Sequence, residues 1–239
     1  QGMGCAGSQG GVVVKERPIL FNADMVNAIL DGRKTQTRRI VKPTKDRNGS
    51  GCQLAPCEIA GEVNGGDYAL CPYGQPGDRL WVRENFLYLM HGDVTAGDIK
   101  YCASIDSRSA AGSKNPGYWW RKRPSIHMPR WASRITLEIV SVRVERLLSI
   151  SDEDAIAEGC YTDDEYSDMA GGADVWPCQI CDGYQVHEHG SLAGASEVDC
   201  HSCNSPKKRF SQLWQSINGF DSWDANPWVW VVEFRRVEQ

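Results

Sequence analysis

Four cysteines in the second half of the chain have the spacing of a metal site. Cys178 and Cys181 form one Cys-x-x-Cys pair, and Cys200 and Cys203 form a second. Two-residue spacing lets both thiolates of a pair reach one tetrahedral ion, and the segment between the pairs (182–199) is long enough for a hairpin that brings them together. Four thiolates leave no open coordination position, so the pattern predicts a structural Zn²⁺ ion.

Other interpretations of the cysteines remain open. The chain has ten cysteines, and free thiols or a redox-active Cys-x-x-Cys motif are the alternatives. A redox motif requires only one such pair, which favours the metal. Cys52, Cys57 and Cys71 have looser spacing, and we assign no metal to them.

A second segment combines basic and aromatic side chains. Residues 118–134 interleave Trp and Tyr with Arg and Lys. Single-stranded nucleic acids are bound by such combinations, which neutralise phosphates and offer flat surfaces to bases. The residues of this segment that we expect to contact RNA are Trp120, Arg121, Lys122, Arg123 and Arg130. The alternative is structural, because Trp beside a strand is usually buried and Arg often packs over it.

The charge of the whole chain hides this basic character. The 239 residues carry a formal net charge of −5, but acidic residues are absent from 32–45 and 107–137, where basic residues concentrate. A segregated pattern of this kind permits a basic binding face on an acidic protein, and two solvated loops are the alternative.

No membrane or export signal is expected from this sequence. No apolar run approaches the roughly 18 residues that a membrane helix needs, so no membrane partner is expected. Residues 1–16 include a Gly-rich start that we interpret as a tag remnant and a disordered N-terminus. Because this start has no apolar core, no signal peptide is expected, and we expect the protein to be cytoplasmic.

Short helices and strands must position these residues. Asn22 is a good helix N-cap and Gly32 a good terminator, so a helix is predicted between them. Residues 35–41 are rich in Thr and β-branched side chains and predict a strand. Residues 42–71 are polar and Gly-rich and predict a long loop or a partly disordered segment. A further strand is predicted at 79–83.

Two longer strands are predicted in the second half. In residues 134–148 the apolar positions change parity between Ile139 and Val140, which predicts a bulge or a bend. Residues 228–237 alternate cleanly and predict a strand whose aromatic side chains belong to a core.

Two more helices complete the predicted α+β fold. Ser151 begins a short helix that Gly159 ends, and Ser205 caps an amphipathic helix. Short helices between β segments predict a small mixed β-barrel with short flanking helices. The predicted organisation is a barrel domain formed by 17–160 and 209–239, with a zinc-ribbon-like insertion at 161–208.

Several motifs add a family resemblance. Segment 29–39 (ILDGRKTQTRR) resembles the opening signature of ASCH-domain proteins, members of the PUA-like β-barrel superfamily. The family resemblance covers most of residues 17–239, apart from the loop after Lys42 and the cysteine insertion. The resemblance implies a PUA-like barrel with a cleft between barrel and helices, suited to RNA or a modified nucleoside. Three later segments look like the large phage and prophage branch of that family, at 71–84, 123–134 and 226–235.

The resemblance also implies a catalytic set. One branch of the superfamily consists of small bacterial amidohydrolases that remove the acetyl group from N4-acetylcytidine with Lys, Thr and Glu. Their Gly-Arg-Lys-Thr-x-Thr motif matches residues 32–37, so Lys34 corresponds to the catalytic lysine and Thr37 to the nucleophile. Their acid lies near the end of a short helix, where Glu158 is the counterpart in this chain.

Elementary chemistry adds conditions to this assignment. A threonine hydroxyl is a weak nucleophile until a base takes its proton. Lys34 can be that base when its amine is neutral, which burial and neighbouring arginines favour by lowering the pKa of Lys34. On a regular strand Lys34 and Thr37 face opposite sides, so we expect Lys34 in a turn and a strand that begins near Thr35.

The sequence therefore leaves three functions open. The first is binding of RNA or a modified nucleoside, with possible hydrolysis of an N4-acyl-cytidine amide, in which Arg33 and Arg39 are expected to contact the substrate. The second is a non-catalytic RNA-binding module of phage or prophage origin. The third is a protein–protein interaction module.

Overall fold

The structure, a computed structural model, describes residues 14–47, 52–89, 99–104, 120–168, 178, 181, 186–191 and 194–237. Most of the expected N-terminal extension (1–13) lies outside the described residues, and so do the first two residues of the basic aromatic segment. Within these ranges, no helix has the length and apolar character that a membrane crossing requires.

The predicted α+β class is confirmed. The described part of the chain alternates short strands with five α-helices, and short 3₁₀ turns join several of them. In chain order the strands and α-helices are β1 (Glu16–Leu20), α1 (Ala23–Leu30), β2 (Gln36–Ile40), β3 (Thr44–Lys45), β4 (Gln53–Leu54), α2 (Pro56–Asn64), β5 (Arg79–Arg83), β6 (Phe86–Leu89), β7 (Ile99–Tyr101), β8 (Trp120–Arg123), β9 (Thr136–Arg146), α3 (Asp152–Ala157), α4 (Asp163–Asp168), β10 (Val186–Ser191), β11 (Gly194–Asp199), α5 (Pro206–Asn218) and β12 (Trp228–Val237).

Five of these strands form the central sheet, in the order β1–β5–β9–β12–β2. The β1–β5 pair is parallel, and the other pairs are antiparallel. Within the described ranges no ladder joins β1 to β2, so the sheet is open and the expected closed barrel is not found. The outer strands are linked by a side chain instead, since Arg39 donates to the carbonyl of Leu20 at 2.7 Å.

The predicted bulge in the long strand is confirmed at Val140. Glu233 of β12 pairs with Ser141, and the next residue, Phe234, pairs with Ile139. Val140 is thus left out of the ladder, and it is exposed. The extra residue moves the buried positions of β9 from odd to even numbers, as the change in sequence parity required.

The sheet buries side chains on both faces. One core contains Ile19, Leu137, Trp230 and Phe234 and is covered by α1 and α2. The second core packs α3 and α5 against Val229 and Val231 of β12. The aromatic side chains of β12 are therefore core residues, as predicted, and the opposite side of its first half is buried too.

The predicted helix ends are confirmed at three helices. The side chain of Asn22 accepts from Met25 N at 2.8 Å, and that of Ser151 accepts from Asp154 N at 3.1 Å. The side chain of Ser205 caps α5 in the same manner. Gly32 and Gly159 follow α1 and α3 with positive φ values of 80° and 101°, a conformation in which glycine carries no Cβ penalty.

The prediction of a loop throughout 42–71 is wrong at residues 56–64, which form a helix. Pro56 begins α2, whose Ile59, Ala60 and Val63 are buried in the first core. Glu58 accepts from the backbone N of Ala55 at 2.7 Å and so stabilises the first turn. A short apolar stripe within a polar segment forms this helix because the core, and not local propensity, stabilises it.

Candidate functional site

Lys34 lies in the turn between α1 and β2, as the chemistry required. Its backbone N donates to Ala28 O at 2.9 Å, which folds the turn back on α1. The strand begins only at Gln36. Gly159 passes close by, and a Cβ there would lie 3.1 Å from Ala28 Cβ and 3.3 Å from Lys34 Cβ. The tight approach of the two turns therefore places Lys34 beside the end of α3.

The amine of Lys34 is fully buried and makes three hydrogen bonds. It donates to Gln36 O and Glu158 O at 2.7 Å each, and to Glu158 Oε2 at 2.9 Å. Burial lowers the pKa of Lys34 below its usual range, whereas the Glu158 carboxylate acts in the opposite direction. Arg39 adds a lowering effect, as expected from the sequence.

Glu158 is the C-cap residue of α3 and is 4% exposed. One carboxylate oxygen accepts from Lys34, and the other accepts from Arg38 Nη1 at 3.3 Å. Both oxygens thus face cations. The structure thus places the Lys34 amine and the Glu158 carboxylate in direct contact.

Arg38 organises a larger ionic network that the sequence did not reveal. Its buried guanidinium donates through Nη2 to Glu145 Oε1 at 2.7 Å and to Asp154 Oδ2 at 2.8 Å. Arg143 reaches the same carboxylates at 3.2 Å and also contacts Glu233. Arg38 therefore links Glu158 to acidic residues on both β9 and α3.

This network affects the ionisation of Asp154. Burial acts to raise its pKa, but Arg38, Gln36 and Arg143 outweigh burial, so the pKa of Asp154 lies below its usual range. Asp154 is consequently held as a carboxylate. It contributes a negative charge at Nη2 of Arg38, whereas Glu158 contacts Nη1 of the same guanidinium.

A cleft of about 290 Å³ opens next to this network. The edge of β2 forms one wall through Thr37, Arg38 and Ile40, and α5 forms the other through Phe210 and Trp214. Glu158 also lines the cleft, together with Met25 and Tyr73. Lys34 does not line the cleft itself, and it is connected to the cleft by its hydrogen bond to Glu158.

Thr37 shares this cleft but is not bonded to the other two residues. It is 2% exposed and lies opposite Val232 in the ladder, so it is on the same face of the sheet as Val232. Its hydroxyl makes no hydrogen bond to Lys34 or Glu158, both of which are described residues. The structure thus joins Lys34 and Glu158 by contact, and Thr37 by a common cleft.

Two arginines expected to contact the substrate have different surroundings. Arg33 donates to Gly159 O at 2.8 Å, pairs with Asp31 at 3.3 Å and stacks over Tyr161. Arg39 lines the cleft and lies over the ring of Phe21 at 5.4 Å. Arg39 therefore faces the candidate site, whereas Arg33 fixes the turn around it.

The basic aromatic segment contributes β8, the edge of a three-stranded sheet β7–β6–β8. Arg121 and Lys122 are exposed, and Trp120 is half-buried beneath Lys100, whose Nζ lies 4.3 Å from its ring centroid. Arg123 donates to the hydroxyl of Tyr88 at 3.3 Å. Two cations of the segment are thus exposed, whereas Trp120 and Arg123 pack with Lys100 and Tyr88.

Arg130 has an intramolecular role. It pairs with Glu16 of β1 at 2.9 Å and donates to Thr136 Oγ1 at 3.3 Å. The nearby Arg134 binds the buried Glu84 in a bidentate manner, at 2.8 and 3.0 Å. These two arginines connect the segment to the sheet, so they are less available to phosphates than Arg121 and Lys122.

The four predicted metal ligands come together. Their Sγ atoms all lie within 4.8 Å of one another, and all four cysteines are buried. An antiparallel hairpin of β10 and β11 lies between the two pairs, in accord with the length of that segment. The cluster packs on Tyr166 of α4, and the amide of Gln212 in α5 donates to Cys178 Sγ at 3.4 Å.

The sulfur spacing fits a tetrahedral ion. A metal with bonds of about 2.3 Å to four thiolates requires sulfurs about 3.8 Å apart. Cys178 and Cys200 are 3.7 Å apart, and Cys181 and Cys203 are 3.5 Å apart. These four cysteines could therefore bind a metal ion.

Comparisons of this chain with protein-family models, with curated proteins and with solved structures found no match.

Proposed function

We propose that the cleft binds a modified nucleoside and that Lys34, Thr37 and Glu158 hydrolyse the amide of an N4-acylated cytidine. The observation that carries this proposal is the buried contact of Lys34 with Glu158, at 2.9 Å, on the wall of a cleft that Thr37 also lines. A buried lysine of lowered pKa beside a carboxyl group is a typical arrangement for proton transfer.

The proposed reaction uses one proton of the Lys34–Glu158 pair. Transfer of that proton from Lys34 to Glu158 gives a neutral amine and a neutral acid. The amine then takes the proton of the Thr37 hydroxyl, through a bridging water, as Thr37 Oγ1 bonds to the acyl carbon. Glu158 donates its proton to N4 as the C–N bond breaks, which releases cytidine and leaves an acyl-threonine ester. Water then attacks the ester, releases the carboxylic acid and restores Thr37.

Arg38 has a positioning role in this scheme. It holds the second oxygen of Glu158 at 3.3 Å and is itself fixed by Glu145 and Asp154. Arg39 lines the same cleft and supplies a positive charge for the substrate. These contacts restrict the Glu158 carboxyl to one orientation, which favours proton transfer to a bound leaving group.

Two further proposals concern the family of this chain and the metal of its four-cysteine cluster. We propose that the chain is an ASCH-domain protein with a PUA-like fold, which the central mixed sheet and the adjoining helices support. We further propose that the four-cysteine cluster is a zinc ribbon that binds Zn²⁺ in a structural role, because four thiolates leave no position open for a substrate.

A panel of N4-acylated cytidines tests the catalytic proposal. The purified chain is incubated with each compound, and release of cytidine is followed by chromatography. We expect hydrolysis by the unmodified chain and a loss of about 10²–10⁴-fold in kcat for Glu158→Gln. Thr37→Val is expected to abolish turnover, whereas the control Thr44→Val, outside the cleft, is expected to retain it. Absence of hydrolysis across the panel contradicts the enzymatic proposal.

A second candidate, a surface for RNA, is favoured by one observation. Arg121 and Lys122 are consecutive exposed residues of β8 without an acidic partner among the described residues. Such a pair is available to neutralise phosphates of a single strand. This surface is compatible with either a catalytic or a purely binding role for the cleft.

A further inference from the structure

The wall of the cleft formed by β2 is the free edge of the central sheet. β2 is the last strand in the sheet order and pairs only with β12. In this ladder Val41 N donates to Trp228 O, and Phe234 N donates to Thr35 O. Because hydrogen-bonded and non-hydrogen-bonded pairs alternate in an antiparallel ladder, the odd-numbered residues of β2 bond to β12. The backbone groups of the even-numbered residues point away from β12.

Several of these outward backbone groups have no partner among the described residues. Gln36 O, at the beginning of the strand, accepts from Lys34 Nζ at 2.7 Å. The N–H and the carbonyl of Arg38 and the N–H of Ile40 follow along the edge. None of these three groups has a hydrogen-bond partner among the described residues, and both Arg38 and Ile40 line the cleft. The Arg38 carbonyl and the Ile40 N–H thus form an acceptor followed by a donor, beyond the position that Lys34 occupies.

The cleft has the size and walls for a small flat molecule. Its volume, about 290 Å³, is at the lower end of the range for small-ligand sites, about 300–1,000 Å³. The side chains of Phe210, Trp214 and Met25 give it apolar walls on either side of the β2 edge. A molecule that enters between them meets the backbone of β2 edge-on.

We propose that the free edge of β2 recognises the base: the carbonyl of Arg38 accepts from the N4–H of cytosine, and the N–H of Ile40 donates to N3. In a parallel sheet, one residue of a neighbouring strand bonds to such a carbonyl and N–H through its own N–H and C=O. The N4–H donor and the N3 acceptor of cytosine are adjacent and can bond to the Arg38 carbonyl and the Ile40 N–H in the same way. This inference rests on the proposed function, because it names how the substrate of that site is held.

The positions of these two contacts along β2 determine the orientation of the bound base. N3 lies at Ile40, N4 lies at Arg38, and the acyl group on N4 extends toward Gln36. Lys34 Nζ is bonded to Gln36 O at 2.7 Å and to Glu158 Oε2 at 2.9 Å. The scissile amide is therefore directed toward the Lys34–Glu158 pair. Thr37, between Gln36 and Arg38, is at the matching position along the strand.

Amide hydrogen exchange followed by NMR, with and without cytidine, tests the proposed contact. We expect cytidine to protect the Ile40 N–H, and the amides of Thr37 and Arg39, which bond to β12, to remain protected in both states. A variant adds a second measurement. Ile40→Pro removes the outward N–H and leaves the ladder to β12 intact, because proline is tolerated where an edge-strand N–H faces away from the ladder. It is expected to weaken cytidine binding about tenfold relative to Ile40→Val, which corresponds to about 1.4 kcal/mol.

A modified ligand probes the other half of the contact. N4,N4-dimethylcytidine lacks the N4–H, and we expect it to bind at least about tenfold more weakly than cytidine. If cytidine binds without protecting Ile40, or if Ile40→Pro binds as Ile40→Val does, the edge contact is overturned and the proposed function stands. If neither cytidine nor N4-acetylcytidine binds the unmodified chain, both proposals fail.

Discussion

At the residue scale, the chemistry proposed for the cleft depends on the contact of Lys34 with Glu158. As an ion pair it offers neither a base nor an acid, whereas after one proton transfer it offers both. Burial lowers the pKa of Lys34 and thus favours the neutral amine, while Glu158 stabilises the charged form. Since the Lys34 amine is completely enclosed, the proposed reaction lets it exchange protons directly with Glu158, which it contacts, and with Thr37 through one bridging water.

The lowered pKa of Lys34 predicts a rate that decreases at high pH. The proposed reaction needs the one proton that Lys34 and Glu158 share, so kcat should fall when Lys34 loses this proton to solvent and Glu158 has none to donate. The midpoint should lie below the value of about 10.4 for a free lysine. We expect this profile in initial rates with N4-acetylcytidine, and a nearly inactive Lys34→Arg variant. A rate that keeps increasing up to about pH 10 contradicts this role.

Gly159 is predicted to be required for the geometry of the site. Its φ of 101° disfavours any side chain, and a Cβ there would press on Ala28 and Lys34. We expect Gly159→Ala to lower the free energy of unfolding by about 1–3 kcal/mol in urea denaturation and to reduce kcat. Gly61→Ala in α2 is the control, because its Cβ meets nothing within 4 Å, and it should stabilise by about 0.5–1 kcal/mol. Equal effects of the two changes would exclude a special role for Gly159.

The contacts of Arg38 could not be predicted from sequence patterns. Lys34 and Glu158 were identified by a motif and by a helix end, both of which are local. Arg38 was visible only as one cation in a basic run. Its partners Glu145 and Asp154 are 107 and 116 residues away along the chain. Such distant pairing leaves no signal in the local sequence, so the ionic network could be identified only from the folded structure.

At the scale of elements, parity in the sequence predicted the two longest strands, β9 and β12, well, whereas the short helix α2 was not predicted. In β9 the phase change between Ile139 and Val140 was readable because both halves of the strand bury alternate residues. In α2 only three buried residues lie within a polar segment. The helix is stabilised by packing against the central sheet, and that contact has no signature in local composition.

Strand β8 carries the prediction for RNA binding. Replacement of Arg121 and Lys122 together by Ala should weaken binding of a single-stranded RNA. Each lost phosphate contact should flatten the slope of log K against log salt by about 0.7. Arg123 is left in place because it bonds to Tyr88.

The control for this change is the pair Arg235 and Arg236, also exposed and basic, on β12. Binding is measured by fluorescence anisotropy at several salt concentrations, and the melting temperature is recorded for each variant. We expect both double variants to melt close to the unmodified chain. RNA affinity and salt slope that are equal in the two double variants would show that β8 is not the contact surface.

At the scale of the whole molecule, α5 connects the four-cysteine cluster with the cleft. Gln212 donates to Cys178 Sγ at 3.4 Å and to Ser202 O at 2.6 Å. Phe210 and Trp214, on either side of Gln212 along the helix, line the cleft and belong to the second core. A metal that orders the cluster therefore also holds the wall of the cleft opposite β2.

Loss of the metal is predicted to destabilise the cleft as well as the cluster. Cys200→Ser removes one of four thiolates, so we expect loss of about one Zn²⁺ per chain by elemental analysis. With α5 less firmly held, the melting temperature should fall by at least about 5 °C, which corresponds to about 1–3 kcal/mol for a chain of this size, and cytidine should bind more weakly. Cys57→Ser, at an exposed position outside the cluster, is the control and should change none of these quantities. A Cys200→Ser protein that retains its metal, or that melts and binds like Cys57→Ser, would separate the cluster from the function of the cleft.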